Sequence, residues 1–134
     1  MTCRWWWCRM VGRSGYSTTA VRSREPVAGR CRLRRAADQF RGSGNYGRAH
    51  SRAALEQWGR AMQDDVTDAT RWAISEGIAD ARRICIYGAS YGAYSAMMGA
   101  AREPGLYQCA AGYVGVYDLP LMLLAAISRT AIPE

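Results

Sequence analysis

The chain has 134 residues, with 18 arginines, no lysine, 11 acidic residues and one histidine, for a formal net charge of +7. Hydrophobic residues make up 49% and charged residues 22%, a composition that fits a folded protein and excludes a disordered one. No apolar run reaches the roughly 18 residues of a membrane span, and the start, MTCRWWWCRMVGRSG, holds no apolar stretch of signal-peptide length.

From these totals no membrane partner is expected, and a cytoplasmic location is the default. The basic charge is concentrated in the head: residues 1–35 hold nine arginines against one acid, Glu25, whereas residues 36–134 hold nine arginines against ten acids. A basic excess built from arginine alone reads as GC-rich coding rather than phosphate recognition, so no nucleic-acid partner is expected. Five cysteines are present, at positions 3, 8, 31, 85 and 109. Cys85 and Cys109 lie in apolar surroundings and read as small buried hydrophobes. Cys3 and Cys8 have no second pair, and the single histidine is His50, so neither a metal site nor a cofactor is expected.

STTAVRSREPVAGRCRLRRAAD, from Ser17 to Asp38, shows neither alternation nor a 3.6-residue apolar period, and the head, residues 1–39, reads as irregular, either disordered or out of frame. FRGSGNYGR, from Phe40 to Arg48, reads as a glycine-rich loop. Met62, Val66, Ala69 and Ala73 recur at spacings of four, three and four, which predicts one face of a helix. Asp64, Asp65 and Asp68 sit towards its start, where carboxylates favour the helix dipole, and Gly77 is a plausible stop. RICIYG then reads as a short buried strand, residues 91–101 as a helix, Glu103–Gly105 as a break and CAAGYVGVYD as a second buried strand. Loop, helix, strand, helix, strand, with connections long enough for parallel crossovers, is an α/β order.

Gly88-Ala89-Ser90-Tyr91-Gly92 occupies the junction between that first strand and its helix. A G-x-S-x-G at such a junction is the turn that presents a nucleophilic serine in α/β-hydrolases. Read this way, Ser90 is the nucleophile and the backbone N–H of Tyr91 is an oxyanion donor at a helix N-terminus. Gly88 and Gly92 keep the tight path clear of side chains. The competing structural reading is that Ser90 merely caps the helix.

FRGSGNYGR, WGRAMQDDVTDATRWA, RICIYGASYGAYSAMMGA and GYVGVYDLPLM, in this order and spacing, together resemble the catalytic domain of the prolyl oligopeptidase family over about residues 40–122. The resemblance implies a serine peptidase that hydrolyses peptide bonds through an acyl-enzyme, on an α/β-hydrolase fold of central parallel strands with flanking helices. It also implies that residues 40–134 are a partial catalytic domain and that the substrate is a peptide. Ala93 departs from the family, which usually has a further glycine there. The loop around Phe40 would shape the site floor, and Asp118 reads as a turn or cap residue.

The family's aspartate and histidine come later in the chain than its serine, and no histidine follows Ser90 before Glu134. A serine without a base is a weak nucleophile, so this chain is expected to be inactive alone, with both partners beyond residue 134. Where the family has a strand followed by an H-G-G-P-like loop, this chain has RWWWCRMVGR. Shifting the reading frame of Arg4–Gly12 accommodates a valine-rich strand followed by P-H-G-G-P, so residues 1–39 are expected to be translated out of frame. The alternatives are an esterase- or lipase-like α/β-hydrolase fragment and a non-catalytic remnant.

Overall fold

The computed structural model describes residues 4–10, 32–36, 38–122 and 124, with side chains at 36, 38–122 and 124. Among the described residues four strands form one parallel sheet: β1 (Arg4–Met10), β2 (Arg32–Ala36), β3 (Ile84–Ala89) and β4 (Cys109–Tyr113), in the order β2-β1-β3-β4. Three helices accompany them: α1 (Gly47–Arg52), α2 (Ala61–Ser75) and α3 (Tyr91–Arg102). This is the expected α/β arrangement. The chain passes from β1 to β2 on one side and then returns to β3 on the other side of β1. The carboxyl ends of β1 and β3 therefore flank a topological switch point, the place where open α/β sheets bind ligands.

The expectation of an irregular head is corrected at two segments. Arg4–Met10 and Arg32–Ala36 are strands, paired in register from Arg4↔Arg32 to Cys8↔Ala36. Three consecutive tryptophans favour a pleated strand over loop, and the arginine-rich β2 takes the edge, where charge is least costly. Residues 1–3, 11–31 and 37 lie outside the described residues.

The core lies where α2 and α3 meet the sheet. Ile84 and Ile86 of β3, Met62 and Val66 of α2, and Ala93 and Ala96 of α3 are all buried. The buried face of α2 is Met62, Gln63, Val66, Thr67, Thr70 and Ala73, so it is more polar than the apolar spacing suggests, and Ala69 sits at its margin. Two of the buried polar residues on that face, Thr70 and Gln63, make hydrogen bonds to other segments. Thr70 Oγ1 donates to the Val66 carbonyl at 2.9 Å and lies 3.1 Å from the Tyr107 hydroxyl. Ser95 Oγ, from α3, donates to Gln63 Oε1 with both residues fully buried. A buried hydrogen bond of this kind makes a net contribution of about 1 kcal/mol, but losing one partner costs about 1–3 kcal/mol. It therefore fixes how α2 and α3 pack more than it adds to stability. Gln63 also limits α3 at Gly99, where a Cβ would lie 3.0 Å from Gln63 Nε2.

Two expectations about the second strand are corrected. β4 is a largely exposed edge rather than a buried strand, because β3 is its one neighbour among the described residues. Cys85 and Cys109, in register on β3 and β4, are joined by a disulfide across a Cα–Cα distance of 4.6 Å. Cys85 is buried as expected, whereas Cys109 is exposed. Parallel pairing brought together two cysteines 24 residues apart, which no local pattern in the sequence could show.

Candidate active site

Ser90 occupies the single step between β3 and α3, at φ 54° and ψ −121°. That region is sparsely populated by residues with a side chain and costs about 1–3 kcal/mol. Backbone hydrogen bonds hold it on both sides. The Ser90 N–H donates to the Tyr113 carbonyl at 3.0 Å, and the Ser90 carbonyl accepts from the Ala93 and Tyr94 N–H groups at 3.1 and 3.4 Å. Ser90 is the N-cap residue of α3 by position, but its side chain makes no capping bond to that helix. It is exposed between the half-buried Ala89 and the buried Tyr91. The turn has the strained, outward-facing geometry of a nucleophile elbow.

Gly88 shows why the turn tolerates no side chain. A Cβ there would overlap the Gly92 carbonyl group and lie 2.7 Å from the Gly92 Cα. The strand and the first turn of α3 touch backbone to backbone at these two glycines. Ala93, the departure from the family pattern, is accommodated: its methyl group is fully buried and faces Gly112, where a Cβ would lie 3.0 Å away. The N–H of Tyr91 belongs to the first turn of α3, where a helix offers its own donors no acceptor.

The Tyr91 ring is held in an aromatic seat. Its centroid lies 4.6 Å from that of Trp58, 5.8 Å from that of Phe40 and 6.0 Å from that of Tyr94. Burial raises the Tyr91 hydroxyl well above the ordinary tyrosine value, so it stays protonated throughout the ordinary pH range. Phe40 belongs to the glycine-rich loop, which makes that loop part of the elbow's support. Arg41 clamps the same loop to α2 through three bonds to Asp65, from its backbone N–H (3.0 Å), Nε (2.7 Å) and Nη2 (2.6 Å). Burial alone would raise the Asp65 carboxyl, but the bonds from Arg41 outweigh it and hold the group below its usual value. Gly42, at φ 93°, packs where a Cβ would collide with the Ala54 methyl group. The glycine-rich stretch ends sooner than its composition suggests, since Gly47 and Arg48 begin α1.

Other polar residues are accounted for nearby. His50 Nε2 lies 3.2 Å from the Phe40 carbonyl and serves the loop. Asp118 caps the following helical turn, accepting from the Leu121 N–H at 2.8 Å. Asp38 lines a cavity of about 480 Å³ with Phe40, Arg41, His50 and Asp65. Burial pushes its carboxyl up to about 6, and Oδ2 has no hydrogen-bond partner among the described residues. No group of three or more potential metal ligands occurs among the described residues, and no described helix is long and apolar enough to cross a membrane.

The model of the prolyl oligopeptidase family matches residues 36–130. The chain belongs to that family. It is 33% identical over 84 residues to dipeptidyl aminopeptidase BIII of Pseudoxanthomonas mexicana, covering 63% of this chain and 12% of that protein. It is 35% identical over 88 residues to dipeptidyl peptidase family member 6 of Caenorhabditis elegans, covering 66% of this chain and 12% of that protein. A structure of a Mycobacterium tuberculosis puromycin-hydrolysing peptidase superimposes with a TM-score of 0.73 at 21% identity, over 93% of this chain and 19% of that one. The chain thus spans about one eighth of the length of the curated family members it matches. The α/β-hydrolase fold read from the motifs is the fold of this family. Sequence reasoning placed the turn and the loop but missed the seat formed by Trp58, Phe40 and Tyr94, the Gln63–Ser95 bond, the half-buried Asp38 and the disulfide. The one available signal was weak: Gln63 lies three residues before Val66, on the same helical face.

Two predictions follow from this geometry. Ser90→Gly relieves the positive-φ strain and raises stability by about 1 kcal/mol in chemical denaturation, whereas Gly88→Ala lowers it by at least about 3 kcal/mol through backbone overlap. For Asp38 the folded value of about 6 exceeds the unfolded 3.8, so the folded state holds the proton more tightly. Stability falls as pH rises between those values, by an amount on the order of 3 kcal/mol. Asp38→Asn removes that fall, which denaturant midpoints measured from pH 3 to pH 8 will show.

Proposed function

We propose that this chain carries the nucleophile-bearing segment of a serine peptidase, with Ser90 as nucleophile and the Tyr91 N–H as one oxyanion donor. The observation that carries the reading is the exposed Ser90 held at φ 54° at the carboxyl end of a buried strand, beside the topological switch point. From that position Ser90 Oγ is free to approach a peptide carbonyl. The N-terminus of α3 lies next to the place where negative charge would develop on the carbonyl oxygen. Gly88 and Gly92 serve the reaction indirectly, by allowing the turn that aims Ser90.

Attack requires a base to take the Ser90 proton and a carboxylate to orient that base. His50 is engaged with the Phe40 carbonyl, and no histidine follows Ser90 in these 134 residues. We assign both missing groups to sequence following Glu134, and on that reading the chain alone is inactive. The substrate class is peptides, in keeping with the peptidase names of the two curated relatives. The sequence reading of an out-of-frame head stands alongside this proposal. β1 lies between β2 and β3, where the shifted frame would encode a valine-rich strand.

A fluorophosphonate probe is expected to leave Ser90 unlabelled in this chain and to label it in a product extended through the downstream reading frame, with Ser90→Ala abolishing the label. Labelling of the 134-residue chain would overturn the claim of inactivity, and failure to label an extended, folded product would overturn the nucleophile assignment. Matched peptide and ester substrates on that product are expected to show peptide hydrolysis dominating. Sequencing the locus tests the head: an intact gene encoding residues 1–39 in frame, with no P-H-G-G-P string in another frame, would discard the frame shift.

A further inference from the structure

The disulfide between Cys85 and Cys109 stands at one end of a five-residue ladder whose other end holds the elbow. Register runs from Cys85↔Cys109 through Ile86↔Ala110, Tyr87↔Ala111 and Gly88↔Gly112 to Ala89↔Tyr113. The next backbone group beyond that ladder is the Ser90 N–H, bonded to the Tyr113 carbonyl at 3.0 Å. Among the described residues β4 is an edge strand paired with β3 alone, and it is exposed at four of its five residues. Behind β4 stands α3, whose Ala93 and Met97 lie against Gly112; a largely exposed strand with one ladder and one helix behind it opens more easily than the core of a fold. The disulfide supplies covalently what burial does not.

The two cysteines differ in exposure. Cys85 is 2% exposed, between the buried Ile84 and Ile86, whereas Cys109 opens β4 at the surface. Thiol–disulfide exchange needs the attacking thiolate to reach a sulfur, so this asymmetry gives the reaction a direction. We propose that Cys85–Cys109 is a thiol–disulfide exchange site, attacked at Cys109 by low-molecular-weight thiols, whose reduction frees β4 and releases the backbone restraint on Ser90. An external thiolate attacks Cys109 Sγ and breaks the S–S bond, leaving a mixed disulfide at Cys109. Cys85 departs as a thiolate and takes up a proton. A second external thiolate attacks the external sulfur of the mixed disulfide and frees Cys109, which is protonated in turn. One protein disulfide becomes two thiols while two external thiols become one disulfide. Departure of a thiolate into an apolar strand is unfavourable, so exchange is slow compared with that of a fully exposed disulfide. The inference concerns the backbone of the elbow and holds whatever the chemistry of Ser90.

The test uses the full 134-residue chain. Peptide mapping of the oxidised chain is expected to find Cys85–Cys109 as the dominant crosslink among the five cysteines, and partial reduction with glutathione is expected to trap the adduct on Cys109. Amide exchange followed by NMR is expected to show the Ser90 N–H exchanging about tenfold faster or more after reduction, while Val66 and Thr67 of α2 keep their protection. Cys109→Ser is expected to reproduce the reduced pattern without any reductant, which separates the effect from reactions at Cys3, Cys8 and Cys31. Scrambled crosslinks, an adduct on Cys85, an unchanged Ser90 N–H, or loss of protection in α2 as large as that at Ser90 would each overturn the proposal.

Discussion

A residue with a side chain, Ser90, is held at positive φ in the single step between a buried strand and a buried helix, and the rest of the structure can be understood from what that demands. Such a conformation persists only where its surroundings determine it several times over. Here the restraints come from different directions. The Gly88–Gly92 backbone contact fixes how closely α3 starts against β3, and the Tyr113 carbonyl holds the Ser90 N–H from the neighbouring strand. Behind the turn, Ser95 and Gln63 tie α3 to α2 within a fully buried hydrogen bond. These restraints act mainly on geometry, and geometry is what the turn needs.

Energetically the aromatic seat outweighs the ion pair beside it. A buried aromatic ring removes roughly 150–250 Å² from water, worth several kcal/mol at about 25 cal/mol per Å². Tyr91 gains that by packing on Trp58, Phe40 and Tyr94. The Arg41–Asp65 pair, with side chains 36% and 24% exposed, is worth about 1 kcal/mol or less once solvent screening is counted. Its three bonds matter for position: they set where the loop runs, and the loop sets where Phe40 lies against Tyr91. A change at Arg41 is therefore felt at the elbow through packing more than through charge.

What was legible in the sequence was whatever local rules govern. Ile84 to Tyr87 followed by small residues announced strand then helix, and glycines at 88 and 92 announced the tight turn. The structure gave each of those a physical cause. The features that stayed hidden arise from tertiary contact. Gln63 and Ser95 look like surface residues until two helices bring them together. Cys85 and Cys109 look like ordinary small hydrophobes until parallel pairing sets them side by side. RLRRA contains no strand signal of its own, and becomes one by lying beside a tryptophan-rich neighbour. Helical spacing found α2 but misjudged its face, because Gln63 and Thr70 are buried there with hydrogen bonds and spacing counts only apolar residues.

The same logic explains why a well-formed elbow is not by itself an activity. Geometry aims Ser90, and α3 places the field of its N-terminus beside it, but neither removes the serine proton. The elbow's outer support is also its weakest element. Tyr113, Val114, Tyr117, Leu121 and Leu124 expose more than half their surface along and beyond β4, and a bare edge strand invites pairing with whatever strand it meets. Covering that edge would hold Tyr113 in place and so hold the Ser90 N–H. The turn is set from within by glycines and aromatics, but its last backbone restraint depends on how firmly the edge of the sheet is kept.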